Sequence, residues 1–222
     1  MTHKTLDDLD LAGRRVVVSA GGTREAMDPV RFVSNYSTGK MGHALAEAAR
    51  DRGAEVTLVS TSSLPTPYGV QLAAVESVAE MREAVLAACE GADALIMAAA
   101  VSDYRPVERA PLKVKKGPRR VAVEFEKTDD FLLEVTGSIV KIGFAAETND
   151  LLENARKKLS AKGLDLICAN DVTAPDAGFA VDTNRVTLID AGGGLEELPF
   201  LSKYDVGHKI LDRLTALLRE RA

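Results

Sequence analysis

The stretch from Ser34 to Gly42 has the residue types with which proteins bind phosphate. Hydroxyl side chains, one lysine and two glycines fall within nine positions, immediately before a helical pattern that begins at Met41. The unpaired backbone N–H groups of a helix N-terminus attract anions, and glycine lets a phosphate approach them closely. We therefore expect a nucleotide phosphate site here. The stretch also contains Asn35, a neutral amide that is either functional or an ordinary N-cap or turn residue.

Short β-branched runs alternate with longer helical patterns along the chain, which predicts a Rossmann-like α/β fold. In such a fold a doubly wound, mainly parallel sheet carries helices on both faces, and ligands lie at the carboxyl ends of the strands. The predicted strands are 15–20, 54–60, 70–75, 93–101, 140–146 and 164–169, and the predicted helices are 41–52, 78–89, 131–136, 151–162 and 203–219.

Two segments interrupt this alternation and predict a small antiparallel extension. Residues 107–118 are basic and rich in turn residues, and residues 121–126 alternate like a half-buried strand. Residues 186–189 and 197–200 resemble an antiparallel pair around three consecutive glycines.

Composition excludes several classes of protein. The 222 residues carry a net charge of −5 and 46% hydrophobic residues, which is typical of a globular domain and argues against a general nucleic-acid binder. No apolar run is long enough to span a bilayer, and the polar N-terminus resembles no targeting peptide. Cys89 and Cys168 lie in apolar stretches, which favours buried thiols in the cytoplasm over a catalytic thiol. The three histidines are scattered and do not suggest a metal cluster.

Three familiar motifs are only partly present in the Ser34–Gly42 stretch. The dinucleotide fingerprint fails because a long loop separates Gly21-Gly22 from Gly39. The P-loop fails because Met41 follows Gly39-Lys40 where serine or threonine is required. The Tyr36-x-x-x-Lys40 pair of short-chain dehydrogenases lies at a helix start instead of inside a long helix, so we interpret it as a coincidence.

A longer set of motifs resembles bacterial phosphopantothenoylcysteine synthetase, the phosphopantothenate–cysteine ligase of coenzyme A biosynthesis. The resemblance runs from about residue 12 to the C-terminus. Its motifs, in order, are TRE at 23–25, DPVRF at 28–32, SN at 34–35, STGKMG at 37–42, AAAVSDYRP at 98–106, KVKK at 113–116, GFAAET at 143–148 and ANDV at 169–172.

The resemblance implies a two-step ligation. CTP activates the carboxylate of 4′-phosphopantothenate as an acyl-cytidylate and releases pyrophosphate. The amine of L-cysteine then attacks and CMP leaves, with Mg²⁺ as the expected metal cofactor. Some relatives use ATP, so the choice of nucleotide stays open.

The resemblance also implies roles for individual residues. Asn35 and Lys113 are the expected catalytic residues, and Asn35 and Arg31 are expected to bind the substrate, with no metal ligand from the protein. The expected nucleotide-binding residues are Ser37, Thr38, Gly39, Lys40, Gly42, Ala99, Asp103, Lys113, Asp129, Asp130, Phe131, Leu132, Phe144, Lys158 and Lys162. Asp129 stands where the family typically has proline.

Each of these roles has an ordinary alternative. Asp103 could be a turn carboxylate, and Lys113 could belong to an inert basic hairpin. Lys158 and Lys162, four residues apart on one helix face, could simply face solvent. Phe144 could be a core residue.

The resemblance further implies how the chain is organised. Residues 1–11 are expected to be a leader or linker, and residues 12–222 a single ligase domain with a mobile flap near 107–120. A homodimer with shared active sites is expected, with contacts near 107–126 and 184–200. Many relatives are fused to a flavin-dependent decarboxylase. Two other functions stay open, an NAD(P)-dependent Rossmann oxidoreductase and a non-catalytic nucleotide-binding subunit.

Overall fold

A computed structural model describes residues 9–117, 122–147, 150–171 and 181–221. The helices of the described residues are α1 Lys40–Asp51, α2 Val78–Ala88, α3 Leu151–Ala161 and α4 Lys203–Glu220, with a 3₁₀ turn at Phe131–Glu134. The strands are β1 Arg15–Ala20, β2 Arg24–Ala26, β3 Phe32–Ser34, β4 Glu55–Ser60, β5 Gln71–Ala74, β6 Ala94–Met97, β7 Tyr104–Pro106, β8 Phe125–Lys127, β9 Val140–Glu147, β10 Leu166–Asp171, β11 Thr183–Asn184, β12 Val186–Asp190, β13 Leu195–Glu197 and β14 Leu201–Ser202.

A central sheet with the order β13-β12-β10-β9-β6-β1-β4-β5 organises the fold. The strands from β10 to β5 pair in parallel, whereas β12 and β13 add an antiparallel edge. The order of the parallel strands reverses between β1 and β6. In a doubly wound sheet such a reversal opens a crevice at the carboxyl ends of the two strands. The expected α/β doubly wound fold is therefore confirmed.

Helices cover both faces of this sheet, because the central strands are apolar on both sides. On one face, α1 and α4 pack together through fully buried residues such as Leu45, Ile210 and Leu214. On the other face, α2 and α3 cover a second apolar cluster that contains Met81 and Ile167. Within the described residues, no helix is both long and apolar enough to cross a bilayer.

Three small two-stranded sheets lie outside the central sheet: β2–β3, β7–β8 and β11–β14. The sequence predicted neither β2–β3 nor β11–β14. The strand expected at 121–126 is shorter, since β8 covers only Phe125–Lys127, and Val121 lies outside the described residues. All three of its residues are exposed instead of alternately buried, because β8 pairs only with β7.

Of two other predicted strands, one is shorter than expected and one is shifted along the chain. The apolar run 93–101 forms a strand only as far as Met97, and the strand expected at 197–200 is instead β13 at Leu195–Glu197. The second shift has a local cause. The Gly194 amide donates to the Asp190 carboxylate at 2.8 Å, which closes the glycine turn early and lets β13 begin at once.

The expected leader includes residues that belong to the folded domain. Residues 1–8 lie outside the described residues, but Leu11 is fully buried in the core. The Leu11 amide donates to the Arg52 carbonyl at 3.0 Å, and Asp10 forms an ion pair with Arg52. The packing of the domain therefore includes residues 10 and 11.

The two cysteines are free thiols, and Cys168 is buried as expected. Cys89 is only half-buried, which corrects the expectation for that residue. Burial raises the pKa of the Cys89 thiol to about 11 and raises that of Cys168 as well. Both thiols are therefore protonated near neutral pH, which argues against a nucleophilic role.

Candidate functional site

A cleft of about 550 Å³ opens at the carboxyl ends of β1, β6 and β9, where the strand order reverses. Fifteen of the residues that the sequence singled out line this one cleft. They are Asn35, Ser37, Thr38, Gly39, Lys40, Gly42, Ala99, Asp103, Asp129, Asp130, Phe131, Leu132, Phe144, Lys158 and Lys162. Residues spread over more than 120 positions of sequence thus meet at the edge of the sheet where this fold binds ligands.

The N-terminus of α1 points into the cleft, and two glycines make its geometry possible. Gly39 is the N-cap and has φ +84°, a left-handed conformation that residues other than glycine rarely adopt. A Cβ at Gly42 would lie 2.5 Å from the Ala20 Cβ, so only glycine lets α1 begin this close to β1. Ser62 supports the loop from the β4 side, because its hydroxyl donates to the Thr38 carbonyl at 2.8 Å.

His43, which the sequence interpretation left without a role, contacts the same loop. Its Nδ1 lies 3.0 Å from the Gly39 carbonyl oxygen. A carbonyl only accepts hydrogen bonds, so Nδ1 is the protonated nitrogen. The Nε2 atom is buried and has no hydrogen-bond partner among the described residues. His43 thus holds the Gly39 peptide at the start of α1.

Asn35 lies opposite the helix terminus and is exposed. Its amide nitrogen donates to the Ala100 carbonyl at 3.1 Å, and the same carbonyl accepts from the Thr23 backbone at 3.2 Å. Because Gly39 is the N-cap of α1, the N-cap alternative for Asn35 is wrong. The side chain is oriented by one neutral hydrogen bond at the rim of the cleft.

The far wall of the cleft is formed by the 3₁₀ turn, β9 and α3. The Lys158 ammonium donates to the Phe144 carbonyl at 2.8 Å, and the Lys162 ammonium lies 3.1 Å from the Asp130 carboxylate. Phe131 is buried against the core, whereas Phe144 is only partly buried. This wall combines the partly exposed ring of Phe144 with several polar groups, which suits a flat, hydrogen-bonding ligand such as a nucleobase.

Arg31 and Lys113 do not line this cleft. Both line a second cavity of about 1040 Å³, together with residues 107–108, 114–117 and 122–124. The Arg31 side chain forms an ion pair with Asp28, and the Val114 amide donates to the same carboxylate at 3.2 Å. Hydrogen bonds from Arg31, Val30 and Val114 hold the pKa of Asp28 well below its usual range. Part of the predicted flap, residues 118–120, lies outside the described residues.

Three further polar residues line the cleft: Asn170, Asn184 and Lys203. Asn170 belongs to the ANDV motif and follows a predicted strand, whereas the sequence interpretation gave Asn184 and Lys203 no role. Lys203 is the first residue of α4 and only 5% exposed. Its ammonium donates to the Val181 carbonyl, and its pKa is lowered to about 8, first by burial and then by the nearby Lys40. A lysine at the apolar start of the last helix was a usable signal, since helix N-termini disfavour cations.

Of the residues described, no group of three or more His, Cys, Asp and Glu side chains is arranged to hold a metal ion. A hard cation such as Mg²⁺ commonly keeps its waters and binds through substrate phosphates. The carboxylates of Asp103, Asp129 and Asp130 at the cleft are compatible with such a weakly held cation.

Comparisons with known proteins agree with the motifs. A family model described as the DNA/pantothenate metabolism flavoprotein C-terminal domain matches residues 11–218. The coenzyme A biosynthesis bifunctional protein CoaBC of Bacillus subtilis is 48% identical over 215 residues, which cover 95% of this chain and 53% of that protein. The chain therefore spans about half the length of this curated relative.

Solved structures give the same result. The crystal structure of the C-terminal domain of a CoaBC protein superposes with a TM-score of 0.81 at 40% identity, covering 95% of this chain and 98% of that one. A complex of a Cab2 mutant with phosphopantothenate-cysteine shares the fold, with a TM-score of 0.74 at 16% identity, covering 97% and 89%. The resemblance inferred from the motifs is confirmed, and an oxidoreductase is not favoured. The chain belongs to the family of the DNA/pantothenate metabolism flavoprotein C-terminal domain.

Proposed function

We propose that this chain is a phosphopantothenate–cysteine ligase, which joins 4′-phosphopantothenate to L-cysteine in coenzyme A biosynthesis and uses CTP to activate the acid. The observation that carries the proposal is the convergence of fifteen residues, each expected from the resemblance to act in binding or catalysis, on one cleft at the strand reversal. The name of the relative from B. subtilis, coenzyme A biosynthesis bifunctional protein, supports the pathway.

The chemistry has two steps. An oxygen of the pantothenate carboxylate attacks the α-phosphorus of CTP, the bond to the β-phosphate oxygen breaks, and pyrophosphate leaves. The cysteine amine then attacks the acyl carbon of the cytidylate, loses a proton, and displaces CMP. Both steps concentrate negative charge, so the site must supply aimed donors and cations.

The N-terminus of α1 meets the first requirement. The first turn of α1 lines the cleft, and the Gly39 N-cap has no side chain to occupy the unpaired N–H groups there. Lys40 adds an ammonium at the first helical position. We propose that the triphosphate lies here, with the nucleobase against Phe144 and the 129–132 segment.

Asn35 is proposed to hold the acyl group during transfer. Its amide is neutral, so it can donate to a developing oxyanion without stabilising the carboxylate ground state as a cation would. Its position at the rim, 3.1 Å from the Ala100 carbonyl, leaves the side chain accessible to a substrate.

Lys113 is proposed to reach the phosphates by movement of the flap. In the structure it lines the second cavity, so its ammonium has to cross from one cavity to the other before it can act. A flap that closes over the triphosphate and opens to release pyrophosphate would account for this separation.

Assembly and cofactors are also proposals. The exposed apolar side chains Val107, Leu112 and Phe125 support a homodimer contact in the segment near 107–126. Mg²⁺ would neutralise the phosphate charges of the nucleotide. A flavin-dependent decarboxylase is the proposed partner, either fused to this chain or separate from it. We propose that this chain acts in the cytoplasm.

The ligation proposal is tested by mass spectrometry on the protein mixed with 4′-phosphopantothenate, CTP and Mg²⁺, without cysteine. We expect an acyl-cytidylate that disappears when cysteine is added. Parallel reactions with ATP test nucleotide choice, and faster pyrophosphate release with ATP would overturn the cytidylate. Unchanged CTP and no adduct would instead favour a non-catalytic nucleotide-binding subunit.

The Asn35→Asp variant tests the acyl site in the same assay. We expect the acyl-cytidylate to accumulate, because the added negative charge opposes the second step more than the first. Turnover at the wild-type rate would show that Asn35 has only a structural role as a turn residue.

A further inference from the structure

We propose that Lys203, together with Asn170, binds the phosphate chain of the nucleotide from the α4 side of the cleft. This inference rests on the proposed function and adds Lys203, a residue outside the motifs that carry the resemblance. It depends on two helix N-termini, one buried ammonium and one buried amide, all of which line the cleft.

The N-termini of α1 and α4 both lie at the cleft, since the first residue of each helix lines it. The two helices pack against each other through buried residues of the core. Lysine is the first residue of both helices, Lys40 in α1 and Lys203 in α4. A cation at a helix N-terminus opposes the helix dipole, so two adjacent ones are unfavourable unless an anion lies between them.

Both lysines line the cleft, and both are oriented by the segment before β11. The Lys40 ammonium lies 2.7 Å from the Asp182 carboxylate, and the Lys203 ammonium donates to the Val181 carbonyl. Asp182 is mostly exposed, which makes its ion pair with Lys40 weak in water. A phosphate chain with several negative charges would therefore compete well for these ammonium groups.

Asn170 supplies an independent sign that a ligand belongs here. It ends β10, lines the cleft and is only 8% exposed, and its Oδ1 has no hydrogen-bond partner among the described residues. An unsatisfied buried amide oxygen is costly, so native proteins seldom leave one without a bound group. A half-turn of the amide would present its NH₂ to a phosphate, and the present orientation would accept from a phosphate-bound water or a ribose hydroxyl.

Burial makes the Lys203 charge dependent on pH in the range where the phosphates are fully ionised. Desolvation is the first cause that lowers its pKa to about 8, and Lys40 of α1 lowers it further, whereas Asp182 before β11 opposes the shift. A bound anion would favour the protonated form. Affinity for a polyphosphate should then fall as pH rises above 8, because protonation of the ammonium must accompany binding.

The test is isothermal titration with inorganic tripolyphosphate, which needs neither base nor acyl substrate. We expect Lys203→Met to weaken binding by about 10- to 100-fold at pH 7.5, and Asn170→Ala to weaken it less. Wild-type affinity should fall about tenfold between pH 7.5 and 9.5, whereas Lys203→Arg should bind with a nearly constant affinity, because a guanidinium stays charged. The matched control is Lys209→Met, an exposed lysine on the same helix, which should behave as wild type.

The outcomes separate this inference from the ligase proposal. If Lys203→Met and Lys203→Arg bind tripolyphosphate with the wild-type affinity and pH profile, or if the wild type does not bind it, the inference is overturned, whatever the ligase assay shows. If binding depends on Lys203 but no acyl-cytidylate forms with CTP, the phosphate site stands and the ligase proposal fails. A melting curve for Lys203→Met, read beside that of Lys203→Arg, identifies a variant that merely fails to fold.

Discussion

The cleft and the second cavity carry residues of the same motif set, but they are constructed differently. The cleft is lined by backbone that is bonded to buried strands, as where the Ala99 amide donates to the Ser19 hydroxyl of β1 at 3.1 Å. The second cavity is lined mainly by exposed residues of the small hairpins and the 113–117 segment. Its segments are connected mainly through the buried carboxylate of Asp28, which pairs with Arg31 and accepts from the Val114 amide.

This difference indicates which of the groups proposed to act in the reaction are already in place and which must move. Groups held on rigid elements can stabilise charge without reorganisation, as the proposed phosphate binding at α1 would require. Groups on loosely held segments can move, as entry of substrates and release of pyrophosphate require. Arg31 and Lys113 line the second cavity, so substrate binding by Arg31 or catalysis by Lys113 in the cleft implies motion between the two cavities.

The largest effect that would sharpen this comparison is expected from Lys113→Ala. If the flap delivers this ammonium to the phosphates, turnover should fall by about 10²-fold or more, because the lost cation stabilises charge in the transition state. The melting temperature should not change, since Lys113 is exposed. Steady-state rates and a thermal melt measure the two quantities.

Lys209→Ala is the control for this measurement, because it removes an exposed lysine from α4, away from both cavities. Equal turnover in Lys113→Ala and the wild type would make the 113–117 segment an inert basic surface, and the comparison would then lose its functional meaning.

A smaller effect, on stability, is expected from one methyl group added in each region. In Gly42→Ala the new Cβ would lie 2.5 Å from the Ala20 Cβ and 2.7 Å from the Ser19 carbonyl oxygen, so α1 must shift away from β1. Overpacking of this kind costs about 1–3 kcal/mol, which corresponds to roughly 2–10 °C in melting temperature for a domain of this size. Nucleotide affinity should fall as well if the amides of α1 bind phosphate as proposed, because they move with the helix.

Gly117→Ala is the matched variant in the second region. There the nearest atom to the added Cβ, outside the chain neighbours of Gly117, is the Lys115 carbonyl oxygen at 3.8 Å, an ordinary contact. Its melting temperature should equal that of the wild type. If the two alanine variants melt at the same temperature, the cleft is no more rigid than the second cavity.

The sequence predicted the scaffold of the cleft better than its surroundings. Strand β1 and helices α1 to α4 appear within one or two residues of their expected bounds, because buried runs and amphipathic periodicity are strong local signals. The β2–β3 hairpin was missed, since its strands have three residues each and pair through a loop held by the Asp28 carboxylate.

The candidate site was predicted only in part, because strand ends can be located from the sequence but tertiary packing cannot. Motif residues at strand ends were expected to converge, because the carboxyl ends of parallel strands share one edge. Asn170, at the end of a predicted strand, was among them and does line the cleft. The start of the last helix marks Lys203 as unusual, but its place in the cleft depends on how α4 packs against α1, which no local pattern encodes. The sequence also did not predict the separate cavity that Lys113 and Arg31 line, because this cavity depends on tertiary packing.

The smallest expected effect is local and concerns the hydrogen bonds of Asp28, which connect the β2–β3 hairpin to the 113–117 segment. The Asp28 carboxylate accepts from the Val30 and Arg31 amides at 2.8 Å and from the Val114 amide at 3.2 Å. Asp28→Ala should therefore speed hydrogen exchange at these three amides and leave the β1 amides protected, because the core does not depend on this contact. Exposed Glu108, which lines the same cavity, provides the control variant Glu108→Ala.

The pH dependence of this exchange follows from the lowered pKa of Asp28. A carboxyl whose pKa is lower in the folded state stabilises that state above its unfolded value of about 3.9, and the contribution is lost as pH falls through the folded value. The difference in protection between the wild type and Asp28→Ala should thus be full at pH 7 and should shrink only below about pH 4. A difference that is absent at pH 7 would show that the second cavity is held together by other contacts, and that its flap is as firmly placed as the cleft.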